Sequence, residues 1–282
     1  MRKAFAVKGC VLLALLLAYR AAPAGWVLPL VIAILAAAVA FFTFAIASPR
    51  SQFFAHVVHQ LPADDEVVAF SFDDGPDPVV TPRILDLLAA HGAKATFFVL
   101  GSRAARYPEV IARIHREGHS LGTHTQHHAL KFHFGSRAYI RHEMQAAIDA
   151  VTAITGVRPT LFRPPQGLRT PHFSSAWADF AAERGLVCVT WTVRGLDSLA
   201  TTADAIVNRI APKLAPGAII AMHDGTGLGG GTDRAPTLAA LAALLTTCNE
   251  RGLRCVGLDD AAISATATAT AKAAVRTTVV RA

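Results

Sequence analysis

The sequence predicts an α/β domain with parallel strands, either a barrel or a doubly wound sheet, behind an apolar amino-terminal segment. Short apolar runs alternate with helix-period stripes from Glu66 to Asp260. Glycines stand where the helical stripes stop. Polar residues cluster directly after the apolar runs, at the strand ends where parallel folds gather their chemistry. With 282 residues, the chain can bury a full catalytic domain and carry accessories.

Residues 1–50 are read as a membrane segment. Trp26 to Ser48 holds 23 residues without a charge, a helix of roughly 34 Å against a bilayer core of about 30 Å. Pro29 is expected in its first turn, where a missing N–H does little harm. A buried globular helix rarely stays apolar on every face for this length. The stretch 9–19 is shorter and flanked by Arg2, Lys3, Lys8 and Arg20. It reads as a signal-like core, with Ala22-Pro23-Ala24 as a cleavage site, or as a short first span of a hairpin. With one span, four basic residues precede it and Arg50 follows, which puts the catalytic domain on the extracytoplasmic side.

The catalytic domain is expected over 62–260. Its strands are Val67–Phe72, Ala95–Leu100, His119–Gly122, Thr160–Phe162, Leu186–Trp191, Ala218–Met222 and Arg254–Leu258. Thr81-Pro82 reads as an N-cap followed by proline at the first helical position, and Gly92 ends that helix. Pro108 opens the next helix and Gly118 closes it. Ile140, Met144, Ala147, Ile148, Val151 and Ile154 form a helical stripe that stops at Gly156; Gly185 and Gly252 end two more helices. The Ala- and Thr-rich stretch 261–282 has no core pattern and reads as a low-complexity tail.

The formal charge is +7, yet no run of five basic residues appears, nor basic residues interleaved with aromatics. That argues against nucleic acid and for an anionic membrane or glycan surface. Four cysteines make no C-x-x-C pair. Cys248 and Cys255 could pair in an oxidising compartment, but two thiols are the favoured reading.

Five stretches carry chemistry. Ser71-Phe72-Asp73-Asp74-Gly75-Pro76 ends a strand with two carboxylates, one able to hold a metal and the other to move protons. By itself it is also an ordinary Asp-Gly turn. Gly122-Thr123-His124-Thr125-Gln126-His127-His128 puts His124 and His128 four apart, able to face one ion from a helical turn; His127, at a spacing of three, competes. No glutamate adjoins His124, so a general base must come from elsewhere, and Asp73 is the candidate. In Arg163-Pro164-Pro165-Gln166-Gly167, prolines and a glycine fix a turn able to aim an N–H at a substrate oxygen, while Arg163 can hold a carboxylate ionised. Trp191-Thr192-Val193-Arg194-Gly195-Leu196-Asp197 and Ile219-Ile220-Ala221-Met222-His223-Asp224 are strands with polar ends; His223 reads as a general acid whose pKa a carboxylate such as Asp197 would lift.

Taken in order, S-F-D-D-G-P, H-T-x-x-H, R-P-P-x-G, W-x-V-R-G-x-D and I-I-x-x-H-D resemble the polysaccharide deacetylase family, the NodB-homology domain or carbohydrate esterase family four. The resemblance spans Glu66 to Leu258. It implies a distorted (β/α) barrel of seven or eight strands and one divalent ion, commonly zinc. It implies Asp74, His124 and His128 as metal ligands, Asp73 as base and His223 as acid. Arg163 would position Asp73, Asp197 would tune His223, and Gln166 and Trp191 would contact the substrate or its oxyanion. The implied activity is hydrolysis of N-acetyl or other N-acyl groups on an amino sugar of a polysaccharide or glycoconjugate. Three positions depart from the pattern: Gln166 for a common tyrosine, Ser198 for a tryptophan and Ala221 for a leucine. They leave the acyl group and the glycan open. A lipid-linked amino sugar, including a formylated one, is the alternative substrate, and a non-catalytic carbohydrate-binding relative the alternative class. A two-metal phosphoesterase is disfavoured, since no dense Asp/His/Asn set is present.

Overall fold

The computed structural model of the protein describes residues 2–63, 66–199, 202–226 and 233–258. Two helices open the chain, α1 (Arg2–Ala21) and α2 (Ala24–Ala47), packed on one another across Pro23. The apolar stretch 9–19 is the middle of α1 rather than a separate short element. Because α2 starts at Ala24, Pro29 lies in its second turn and not its first, and the Gly25 carbonyl loses its helical donor. Among the described residues α2 is the one helix long and apolar enough to cross a membrane, and only 6% of its most apolar window is buried.

Among the described residues, the domain that follows is built on nine strands: β1 (Val57–Val58), β2 (Val67–Asp73), β3 (Ala95–Val99), β4 (Ser120–Thr123), β5 (Leu161–Phe162), β6 (Val187–Val189), β7 (Val193–Arg194), β8 (Ile219–His223) and β9 (Arg254–Cys255). Eight run in the order β1-β6-β5-β4-β3-β2-β8-β7, every strand pairing is parallel, and β9 adds to the start of β2. The two ends of the sheet meet beyond β1: Thr192 Oγ1, just before β7, donates to His59 O (2.7 Å), and Leu61 N–H donates to Gly217 O (2.8 Å), just before β8. The result is a distorted (β/α) barrel. All seven expected strands are present, β7 falls within the Trp191–Asp197 stretch also read as a strand, and β1 is one more.

Helices α3 (Val80–Ala90), α4 (Gly101–Arg106), α5 (Pro108–Arg116), α6 (Arg137–Thr155), α7 (Pro171–Arg184), α8 (Ala203–Ile210) and α9 (Ala235–Glu250) cover the strands. Strand periodicity sorts the core into two faces. On β2, Val68, Phe70 and Phe72 join Ile84, Phe97, Ile220 and Leu241 under the helices. Val67 and Ala69 instead join Phe98, Leu161, Val189, Ile219 and Ala221 inside the barrel. Each fully buried phenylalanine contributes about 1.5–3 kcal/mol. Gly156 and Gly185, left-handed as expected, terminate α6 and α7.

Thr81 is not the cap of α3. The Asp77 carboxylate accepts from the N–H of Val79 (2.9 Å) and Val80 (2.8 Å), one turn earlier. Thr81 Oγ1 instead accepts from Asp77 N–H and donates to Asp224 Oδ2 (2.6 Å). Cys248 and Cys255 are free thiols, as favoured. The tail expected at 261–282 lies outside the described residues.

Candidate active site

All five motifs end at the carboxyl rim of the barrel, because each follows a parallel strand. Asp73 is the last residue of β2 and Asp74 turns into the left-handed region (φ 72°), so the two carboxylates leave the chain on different sides. His124 follows β4 and His128 lies four residues on. The segment between them is a loop, not the helical turn expected, because Thr125 (φ 73°) and His128 (φ 55°) are both left-handed. Thr125 Oγ1 braces the loop by accepting from His128 N–H (3.0 Å).

The loop nevertheless brings both rings to one carboxylate. Asp74 Oδ1 stands 3.6 Å from His124 Nε2 and 3.4 Å from His128 Nε2. The three ligand atoms lie within 4.8 Å of one another, all three residues are buried, and Asp74 Oδ1 has no hydrogen-bond partner. A buried carboxylate oxygen left so, facing two imidazole nitrogens, fits a cation. His124 Nδ1 bonds the Arg163 carbonyl (2.6 Å), which fixes the tautomer and frees Nε2 as an acceptor. Burial outweighs Asp74 and pushes the His124 pKa down to about 3, so the ring is neutral, as a ligand must be. His127 is turned away, its side chain 59% exposed and its Nδ1 2.8 Å from Glu143 Oε1.

Asp73 is held by the buried Arg163, whose Nη1 donates to Asp73 Oδ1 (2.7 Å) and Ser71 Oγ (2.9 Å). Nη2 donates to Thr190 O, and the guanidinium lies 4.0 Å from the Phe98 ring centre. Burial lowers the Arg163 pKa, with Asp73 opposing. Across the rim, His223 Nδ1 is 2.8 Å from Asp197 Oδ1, and Asp197 Oδ2 accepts from His223 N–H (2.9 Å) and Thr237 Oγ1 (3.1 Å). Burial opposes both shifts, yet this pairing raises His223 and lowers Asp197.

Gln166 has φ 51° and begins a tight turn in which Gly167 N–H returns to Pro164 O (2.8 Å). Its amide reaches His133 Nε2 (2.7 Å) and His128 Nε2 (3.3 Å). Trp191 backs that turn: a Cβ on Gly167 would lie 2.3 Å from its indole.

Sequence reasoning did not single out Glu143, His133, Arg169 or the role of Asp224. Glu143 had a readable signal, a charge on the buried face of α6 between Ile140 and Ala147. Asp224 is buried against Thr81, and burial lifts its pKa to about 7.

The chain is similar to proteins already known. The polysaccharide deacetylase profile matches residues 60–184. A peptidoglycan-N-acetylglucosamine deacetylase of Bacillus cereus is 32% identical over 209 residues, 73% of this chain and 92% of the relative. A chitooligosaccharide deacetylase of Sinorhizobium fredii is 36% identical over 196 residues, covering 66% and 86%. The crystal structure of the Bc1960 peptidoglycan N-acetylglucosamine deacetylase, in complex with a naphthyl N-hydroxybenzamide, superposes with a TM-score of 0.65 at 31% identity. It covers 71% of this chain and 89% of that one. Fold and site together define a hydrolase of carbon–nitrogen bonds other than peptide bonds. The chain belongs to the polysaccharide deacetylase family.

Proposed function

We propose that the protein removes N-acetyl groups from amino sugars of a cell-wall-type glycan, using one divalent ion, zinc first among the candidates, held by Asp74, His124 and His128. The observation that carries this is the buried triad with an unsatisfied Asp74 oxygen, set between Asp73–Arg163 and His223–Asp197. An ion there would supply Lewis acidity for the amide carbonyl and a more acidic water. Asp73, aimed by its hydrogen bond from Arg163, takes a proton from the attacking water. The oxygen charge that develops meets the Gln166 N–H, which no main-chain carbonyl among the described residues accepts. His223, whose pKa is raised because the Asp197 pairing outweighs burial, gives its proton to the departing amine. Trp191 walls the side on which the acyl group sits. Retention of every one of these groups favours an enzyme over a non-catalytic carbohydrate-binding relative.

We also assign residues 1–50 to membrane attachment, residues 62–260 to the catalytic domain and the site to the extracytoplasmic side. The exposed apolar faces of α2 support this, as does its bonding to the domain through Arg169 N–H to Ile46 O (3.1 Å). That bonding also favours a retained anchor over a cleaved leader. It keeps a lipid-linked amino sugar as the second substrate reading, since the turn at Gln166 sits beside the helix end.

The test is mass-spectrometric detection of released acetate or formate from chitooligosaccharides, peptidoglycan fragments and lipid-linked amino sugars, with metal removed and restored. Acetate from the polymers, dependent on metal, is the expected outcome. Release from none of them with metal present would sink the proposal.

A further inference from the structure

Arg169 is 1% exposed and forms no ion pair with a carboxylate among the described residues. Its guanidinium is spent on carbonyls instead. Nη1 donates to Gly167 O and Nη2 to Ser48 O, while the Arg169 N–H donates to Ile46 O. One side chain therefore joins two distant places: the carboxyl end of α2 and the turn that carries Gln166. The carbonyls at a helix end carry partial negative charge, and a planar fork of donors suits two of them at once. A second bond runs beside it, from Thr190 Oγ1 to Pro49 O (2.7 Å).

The turn needs such support. Gln166 (φ 51°) and Gly167 (φ 69°) are consecutive left-handed residues, and Gln166 has a Cβ to accommodate there. A backbone in that region persists where its surroundings over-determine it. Gly167 N–H on Pro164 O holds one side of the turn and Arg169 on Gly167 O the other.

We propose that Arg169 is a positioning residue that makes the end of α2 part of the active-site framework, so that the Gln166 N–H stays aimed only while the apolar helix is docked. This rests on the reading of Gln166 as the oxyanion donor. Arg169 touches neither substrate nor metal ligand; it acts through the Gly167 peptide.

The experiment uses the full chain in detergent micelles, with Arg169→Met and, as the variant that keeps the charge, Arg169→Lys. Metal content, thermal midpoint, kcat, KM, inhibition by a phosphonate mimic of the tetrahedral intermediate, and hydrogen exchange of peptides covering 164–168 are measured. Both variants should keep the metal and KM. Exchange at 164–168 should rise about tenfold in Arg169→Met while peptides of β2 are unchanged. Its kcat should fall on the order of tenfold to a hundredfold, near the loss of one oxyanion donor. Affinity for the phosphonate should fall in parallel with kcat/KM, and Arg169→Lys should recover part of each. Exchange at 164–168 unchanged in both variants would overturn the clamp. So would a kcat loss that follows a lowered thermal midpoint and vanishes on cooling. Loosened exchange with normal kcat and normal phosphonate affinity leaves the clamp standing and overturns the oxyanion reading instead.

Discussion

Asp73 and His223 are register partners on adjacent parallel strands, β2 and β8, with Asp224 N–H returning to Asp73 O (3.2 Å) just beyond them. The residues assigned as base and acid are thus set side by side by the sheet ladder itself, each with its own fixed partner in the segment that follows another strand, Arg163 after β5 and Asp197 after β7.

That arrangement separates the two adjacent aspartates. Asp73→Asn leaves Asp74, His124 and His128 in place, so metal content should stay near one ion per chain. Activity should fall by about two to four orders of magnitude, the scale of general acid–base catalysis. Loss of the metal from this variant, measured by elemental analysis, would make Asp73 a ligand and end the division of labour.

His127 is excluded by geometry rather than by type. Glu143 takes both its N–H (3.0 Å) and its ring, locking it away from Asp74. His127→Ala should retain the metal, while His124→Ala and His128→Ala should lose it. Metal lost with His127→Ala and kept with His128→Ala reverses the assignment.

The alkaline limb of the pH–rate profile is expected to follow His223. Burial pulls its pKa down, but the Asp197 bond and charge, with Asp73 and Asp74, leave it raised. A raised value keeps the ring protonated to higher pH, so activity should persist above the ordinary imidazole range and fall as pH rises through the shifted value. Asp197→Asn removes the opposing charge and should move that limb to lower pH. A limb unmoved in kcat/KM would assign it to another group.

Acid stability should respond to His119, remote from the site. Its Nδ1 accepts the Ala95 N–H (3.2 Å) between β3 and β4, and burial first, then Lys94, pushes its pKa down to about 4. The neutral ring stabilises the fold above the unfolded value of about 6.5, and that contribution drains as pH falls from there toward 4. His119→Asn keeps an acceptor without a titration, so its denaturation midpoint should depend less on pH across that window. Parallel pH profiles for the two proteins would refute this.

Much of this fold was legible because the long strands advertise themselves. The run Val67 to Phe72 is apolar except for Ser71, buried on both faces, and stops at charge. β1 is two residues long, defined by pairing with Cys188 and Val189 far along the chain, and no local pattern encodes that. The spacing of His124 and His128 pointed to two rings that do face one carboxylate, but on a different backbone, since left-handed Thr125 and His128 achieve what a helical turn would have. Thr81 does not cap α3 because it is engaged by Asp224, a partner 143 residues away, and the Asp77 carboxylate takes the N–H groups of Val79 and Val80 instead.

The alternation along β2 has a consequence for how this enzyme can change. Val67 and Ala69 point into the barrel, and Ser71 and Asp73 continue that parity to Arg163. Deleting a single residue between Val67 and Phe70 would turn the strand by one place, carrying Asp73 under the helices and a phenylalanine into the catalytic rim. The strand therefore tolerates exchange of one apolar side chain for another far better than any change of length. Natural variation in this stretch should consist of substitutions, with insertions and deletions confined to the loops beyond it.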